Sequence, residues 1–341
     1  MFIFVVVFFL LAFGIRFGKN KYWLFVCTLI MAILIGTRAI SVGTDTKSYL
    51  TMYESAMLFG YQGYPEPGYG MAQVFFCNMG FDFTMFQTAM SIVMCLMLYM
   101  VIRRVSSNYA FSLFVFYALY FVMYSMNVFR QVFAVVILLC AYSYLFKGKK
   151  IYFVIGVIIA SLFHMISVIA LPTLFINRLR IRKTYIVISV ICFSFILGIV
   201  LSPQLYTSLA GGYAHYLINA DSMRSGNRLL LSIALSTFWS ALFIICFLST
   251  NYRLRENFWF KMYFIATVAN NICLRMELGI RIMWILSICE VIALPLCVKY
   301  SRKISKTSMS GIIISALTIF FFTMLLTNSA DVLPYESKIL K

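Results

Sequence analysis

Charge is scarce in this chain. Only 11% of its 341 residues are charged, where a soluble domain carries roughly twice that share. Two histidines are present, and none of the nine cysteines forms a CxxC pair. That inventory speaks against a zinc or haem site. The cysteines fall almost wholly inside apolar stretches, where a thiol acts as a small packing residue. No internal repeat, no low-complexity tract and no DxD-like carboxylate pair occurs. No metal and no cofactor is therefore expected.

What is present is apolar surface. Hydrophobic residues make up 63% of the chain, and its mean hydropathy is +0.95. The composition describes a polytopic helical membrane protein forming a single transmembrane domain over residues 1–341, with no soluble domain. The net charge of +18 would suggest nucleic acid in a soluble protein. Here the positive-inside bias of membrane proteins accounts for most of it, and no nucleic-acid partner is expected. The apolar N-terminus lacks a basic leading region and a small-residue cleavage site, and reads as a retained first span.

Most cations sort to one side. Arg16-Lys19-Lys21, Arg103-Arg104, Lys147-Lys149-Lys150, Arg178-Arg180-Arg182-Lys183, Arg253-Arg255 and Lys299-Arg302-Lys303-Lys306 occupy short gaps between apolar stretches. Such clusters mark the cytoplasmic side. Arg38, Arg130, Arg224, Arg228, Arg275 and Arg281 are left on the opposite side, several among polar residues. Arginines gathered at the outer end of a helical bundle suggest an anionic ligand such as a phosphate.

A full span needs about 20 apolar residues. Spans are expected near 2–17, 22–37, 83–102, 109–126, 128–146, 184–202, 228–250, 257–275, 280–298 and 308–328. The 67–80 stretch is too short to cross, and a crossing would put Arg103-Arg104 outside. It is expected to be re-entrant or strongly tilted. The 151–177 stretch would be roughly 40 Å long as a helix, and both its flanks are basic. It is expected to enter and return as two short helices that turn near Ser161–His164, below the outer surface. A backbone break at that depth must be buried in protein or line a water-filled cavity. This threading puts both termini outside, with outer loops at 38–67, 124–130, 203–227 and 275–280.

Five stretches carry candidate chemistry. In Arg38–Tyr49, Gly43 permits a tight turn. Asp45 is a candidate general base, unless Thr44 or Asp45 merely caps a helix running through Tyr49 and Tyr53. In Tyr64-Pro65-Glu66-Pro67-Gly68-Tyr69, the prolines fix an extended approach and Glu66 brings a carboxylate to the membrane edge. Asn127, Arg130 and Gln131 share a helical face through i, i+3 and i+4 spacing, and their donors suit an anion or a sugar, unless Arg130 merely snorkels. His164 sits in an apolar stretch, where a histidine is costly unless used or paired. Arg281 follows Glu277 by one turn, so the two either pair with each other or Arg281, with Arg275, meets a ligand. The 211–228 stretch, with His215, Asp221, Arg224 and Arg228, reads as a connector or a covering lid.

These pieces resemble, in order, the EpsG family of Wzy-like polysaccharide polymerases. The matching residues are Arg38, Val42-Gly43-Thr44-Asp45, Tyr49, Glu66-Pro67-Gly68-Tyr69, Asn127, Arg130-Gln131, Ala134, Phe163-His164, Ser167 and Pro172. They cover roughly residues 36–172. The second half matches only in hydropathy and in an arginine opening a late span, Arg281. The resemblance implies an all-α, GT-C-like bundle of about 10–12 transmembrane helices plus re-entrant or short helices. It implies a membrane glycosyltransferase of the bacterial inner membrane that joins undecaprenyl-diphosphate-linked oligosaccharide repeat units at the outer face. A flippase and a chain-length regulator of the same pathway are its candidate partners, beside the lipid bilayer. In that chemistry Arg130 and Arg281 would hold the diphosphate with Arg38 and Arg275 assisting. Asp45 or His164 would be the base, and Glu66, Tyr69, Asn127 and Gln131 would meet sugar. A flippase of lipid-linked sugars would show paired repeats, and an O-antigen ligase a larger outer loop.

Overall fold

The computed structural model describes residues 1–63, 66–200, 226–276 and 279–338. Among them every regular element is a helix. The expectations for Tyr64, Pro65, His215, Asp221, Arg224 and Glu277 fall outside the described residues. Contacts divide the chain into two compact units: residues 1–171, 294–296 and 311–341, and residues 172–293 and 297–310.

The first unit holds α1 (Phe2–Gly14), α2 (Lys21–Gly36), α3 (Asp45–Phe59), α4 (Pro67–Asn78), α5 (Phe83–Val105), α6 (Tyr109–Ala118), α7 (Phe121–Asn127), α8 (Phe129–Phe146) and α9 (Lys150–Phe163). The second holds α10 (Thr184–Val200), α11 (Gly226–Ser249), α12 (Tyr252–Arg255), α13 (Phe258–Ile272) and α14 (Gly279–Ser287). Parts of α15 (Glu290–Tyr300) and α16 (Lys306–Leu326) belong to each.

Among the described residues four helices, α5, α8, α11 and α16, are long and apolar enough to cross a membrane. Two bent pairs, α6–α7 at 49° and α14–α15 at 42°, raise the number to six if each is one span. Shorter apolar helices occupy the expected spans near 2–17, 22–37 and 184–202 (α1, α2 and α10), and α9 is a further one in the 151–177 stretch. The 16 residues of α2 extend about 24 Å, less than the hydrocarbon thickness of about 30 Å. The chain is thus a polytopic helical membrane protein whose spans are partly short and broken.

Local sequence explains the helix starts. The Asn20 side chain accepts from the Tyr22 and Trp23 amides, Asp82 from Met85, and Asn108 from Phe111. Each cap satisfies amides that a first helical turn leaves without a partner. In the first unit α6 is buried along its whole length. Tyr117 of α6 donates to the Phe4 carbonyl of α1 at 2.8 Å, and Phe8 stacks on Phe321 of α16 at 4.5 Å. Tyr120, in the left-handed region at φ 71°, bends α6 into α7. Where α8 meets α9, a Cβ on Gly156 would lie 2.6 Å from Ala141 Cβ. Small residues let spans approach this closely.

Two features bear on the threading. The basic flanks of the first unit lie together: the Ala110 amide donates to the Gly18 carbonyl, and Arg104 covers the Tyr144 ring at 4.2 Å. At the other end of this unit, residues 331–338 return to the segment after α2. Ala39 and Gly43 amides donate to the Glu336 and Asp331 carbonyls, and the Lys338 amide to Thr37. The short α4 is tied to that second end. Glu66 precedes it, Phe81 after it accepts from the Tyr53 hydroxyl of α3, and Thr84 accepts from Lys338 Nζ. The 67–80 stretch, expected to be re-entrant or strongly tilted, forms one unbroken 12-residue helix, too short to cross.

The 151–177 stretch breaks at His164, inside the expected 161–164 window, with extended backbone at φ −156°, ψ 110°. The second arm is helical, as expected, but more tightly wound than an α-helix. Met165–Arg178 winds as a 3-10 helix with Pro172 inside it. Proline removes an amide that an α-helical turn would use.

In the second unit, Asn271 of α13 ties three helices together. Its Nδ2 donates to Ile191 O and Ser194 Oγ of α10, and its Oδ1 accepts from Ser240 of α11. Aromatic packing of Phe243 on Tyr263 and Phe260 adds to this seam. At the basic end of the unit, Glu256 pairs with Arg182 and, at 3.2 Å, with the buried Lys261.

Candidate active site

Glu66 is the hub of a charged cluster in the first unit. The residue sits just before α4, where Pro67 occupies the first helical position and donates no amide. Gly68 lets this end of α4 lie against α9: a Cβ there would come within 3.0 Å of Leu162 Cβ and its carbonyl oxygen. The carboxylate therefore faces the break that ends α9. Its Oε1 lies 2.7 Å from His164 Nδ1 and accepts from the Met165 amide at 3.4 Å. Its Oε2 lies 2.7 Å from Arg130 Nη1.

Burial pushes the Glu66 carboxyl up. The His164 hydrogen bond, the Arg130 and His164 charges and the Met165 amide outweigh it, and the group sits below the usual carboxylate range. An ionised Glu66 accepts only, so the imidazole donates from Nδ1, and in its neutral form the lone pair falls on Nε2. His164 Nε2 is buried and has no hydrogen-bond partner among the described residues.

Arg130 opens α8 and remains partly exposed, with 29% of its side chain accessible. The guanidinium lies 5.4 Å from the Tyr49 ring of α3 and 5.8 Å from the Tyr69 ring of α4. Those rings are 5.5 Å apart. The Tyr49 hydroxyl accepts a hydrogen bond from Arg130, and burial, with Asp45 adding to it, pushes that hydroxyl up, so it stays neutral. One carboxylate and two aromatic faces thus aim a guanidinium whose remaining donors are not committed to Glu66.

The residues singled out in the sequence fare differently. Glu66, Tyr69, Arg130 and His164 come together. Asn127 and Gln131 do not join them on one helical face. The chain breaks at Val128, φ −95°, ψ 57°, so Asn127 ends α7 while Arg130 and Gln131 start α8. Gln131 is buried. Asn127 Oδ1 accepts from the Asp45 amide and the Thr44 hydroxyl, both at 3.0 Å. It caps α3, which neither Thr44 nor Asp45 caps with its own side chain. Asp45 sits in the first turn of α3, half-buried, its charge felt by Tyr49.

Arg38 is only 2% exposed. Its Nη1 donates to the Ile35 carbonyl at 2.6 Å and its Nε to Thr46 Oγ1 at 3.4 Å. Burial lowers its pKa to about 10, so it remains a cation at neutral pH. Arg275 and Arg281 belong to the second unit. Arg275 Nη1 donates to Ile199 O, near the end of α10, where helix carbonyls lack partners. Arg281 is half-buried near the start of α14. Tyr49 is the member that the sequence reading did not place in the site. Its spacing four residues after Asp45, on the same helical face, was the available signal.

A carboxylate, an imidazole and a guanidinium held together at one end of an apolar helical unit define the class: a polytopic membrane protein with a buried charged centre. The EpsG family model matches residues 21–337, and the chain belongs to this family of Wzy-like polysaccharide polymerases. The match extends well past the first half, to which the sequence resemblance was confined. No curated protein and no solved structure matches the chain.

Proposed function

We propose that this chain is a membrane glycosyltransferase that polymerises undecaprenyl-diphosphate-linked oligosaccharide repeat units, yielding O-antigen, capsule or exopolysaccharide. The reaction takes place at the outer face of the bacterial inner membrane, without a metal ion. The observation that carries the reading is the Glu66 carboxylate bridging His164 Nδ1 and Arg130 Nη1 at 2.7 Å each.

Each partner has a part. An acceptor sugar hydroxyl gives its proton to His164 Nε2. The freed oxygen forms a bond to the anomeric carbon of the donor. The bond from that carbon to the diphosphate oxygen breaks, and its electron pair leaves on the lipid diphosphate. Arg130 stabilises the charge developing there. Tyr49 and Tyr69 are buried, and their rings hold the guanidinium in place. Of the two candidate bases, this reading takes His164, whose other ring nitrogen is held by Glu66 and whose Nε2 has no hydrogen-bond partner among the described residues. Arg38 is assigned to holding the segment after α2, with Asn127 doing the same for α3.

The test is a gel of lipid-linked product. Purified protein in liposomes receives an undecaprenyl-diphosphate repeat unit in the presence of EDTA. A ladder of increasing length, absent for Arg130→Ala, is expected. If the unit stays single with EDTA and also with added divalent ions, the polymerase reading fails. Movement of the unit across sealed liposomes would then favour a flippase.

A further inference from the structure

Glu66 is bound at both ends. Oε1 holds the imidazole and Oε2 holds the guanidinium. No other carboxylate makes an ion pair with either group among the described residues. The two groups assigned to opposite halves of the reaction, donor and acceptor, therefore share one counter-ion. What happens to one must be felt by the other.

We propose that Glu66 is a positioning residue that couples donor binding to base strength: a diphosphate that engages Arg130 draws the guanidinium from Oε2, and the carboxylate charge then falls on Oε1 and raises the basicity of His164. The proposal rests on the assignment of Arg130 to diphosphate and His164 to the acceptor proton. It gives the resting site a guarded form, in which the carboxylate is divided between two cations and the imidazole is a weaker base. The base strengthens when a donor is in place, which limits proton uptake in its absence.

The groups facing the pair support this assignment. From α8 comes Arg130, from α3 Tyr49 and Asp45, and from α4 Tyr69. From the 3-10 segment only the Met165 amide reaches Glu66, and it contacts the same Oε1 as His164. Tyr49 is neutral through the working range. Arg130 is thus the facing group that both bears a charge on Oε2 and can exchange it for an external anion. A charged partner withdrawn from a carboxylate strengthens the hydrogen bond at the other oxygen and favours the protonated imidazole.

The chain has two histidines, His164 and His215. His215→Asn leaves His164 as the sole imidazole, so histidine-labelled protein in nanodiscs gives one nuclear magnetic resonance titration. The probe is inorganic pyrophosphate. Its addition is expected to raise the proton affinity of His164, by a factor at least about threefold larger with Glu66 than with Glu66→Gln. An equal rise in both backgrounds would mean that the anion acts through space, and the coupling is overturned. If Glu66→Gln does not fold, the Nδ1 proton of His164 in the parent protein decides. Its resonance moves downfield with pyrophosphate as the bond to Oε1 strengthens, and an unmoved resonance overturns the proposal. Calorimetry separates this from the underlying reading. Pyrophosphate binding that is lost in Arg130→Ala, with no response at His164, sinks the coupling alone. Binding indifferent to Arg130→Ala sinks the donor assignment and the coupling with it.

Discussion

Arg38 and Arg130 lie at the same end of the first unit and look alike in the chain, each an arginine among polar residues beside a span. Their surroundings differ. Arg38 is sealed in and its donors go to a backbone carbonyl and a threonine. Arg130 has a carboxylate, a tyrosine hydroxyl and two ring faces around it, yet keeps part of its guanidinium accessible. Both are cations brought out of water, and burial must be offset by hydrogen bonds in either case. The first is offset by the fold itself and is complete. The second is offset by a carboxylate that an anion can replace. Position beside a span does not separate the two; the kind of partner does.

The sharpest test of this contrast is to remove each arginine. Arg130→Ala is expected to lower the polymerisation rate by about 10²–10³-fold, the scale of a lost charge-stabilising donor, with a smaller loss of thermal stability than Arg38→Ala, from the lost pairing with Glu66. Arg38→Ala is expected to do the reverse. Its buried partners lose charged hydrogen bonds, so the protein loses about 2–3 kcal/mol of stability, seen as a lower melting temperature in detergent. Any protein that remains folded keeps most of its rate. If Arg38→Ala leaves stability intact and abolishes polymerisation, Arg38 belongs to the ligand site and the contrast collapses.

The next effect concerns the segment that both arginines lean on. Gly43 has φ 80°, and a Cβ there would lie 2.4 Å from Met126 O. Gly43→Ala therefore meets both a strained backbone and a closed space, for a loss of about 1–3 kcal/mol. The α3 start would move off Asn127, carrying Tyr49 away from Arg130. Reduced melting temperature and a reduced rate together are expected. A Gly43→Ala protein of full stability and full rate would show that this close approach does not matter. Asn127→Ala, which removes only the cap on α3, is smaller again, at about 1 kcal/mol.

Much of this architecture is legible in the chain, for reasons that can be named. The short reach of 67–80 implies a segment that does not cross, and α4 is a single helix of 12 residues. The double basic flank of 151–177 implies a break, and the break falls at His164. Both are consequences of bilayer thickness and charge asymmetry, which act on every residue in the same way. Bends are less accessible. Tyr120 takes a left-handed conformation with no glycine or proline to announce it, and Val128 interrupts what reads as one helical face. Such breaks are set by tertiary packing rather than by local propensity. Within the site, Glu66, Arg130 and His164 are each conspicuous as costly residues in apolar surroundings. Their sharing of one carboxylate depends on Gly68 seating α4 against α9, a long-range contact that spacing along the chain does not reveal. Tyr49 is less conspicuous, because a tyrosine near a membrane edge is ordinary.

The smallest expected effect is on pH, and it separates the two arginines once more. Glu66 has a folded-state pKa below its unfolded value of about 4.3. A depressed carboxylate contributes stability that is fully present above the unfolded value and is lost as pH falls through the folded one. Between about pH 7 and pH 5 the Glu66 contacts should therefore be constant. Below the usual carboxylate range, protonation should loosen Arg130 and His164 together. Arg38 has no carboxylate to titrate, so its contacts should survive the same acidification. Thermal unfolding of the parent and of Glu66→Gln, followed from neutral to acid, reads this directly. The parent's advantage should shrink only at the acid end. An advantage already lost near pH 6 would mean that the Glu66 carboxylate is not held below its unfolded value and is not the anchor of the cluster.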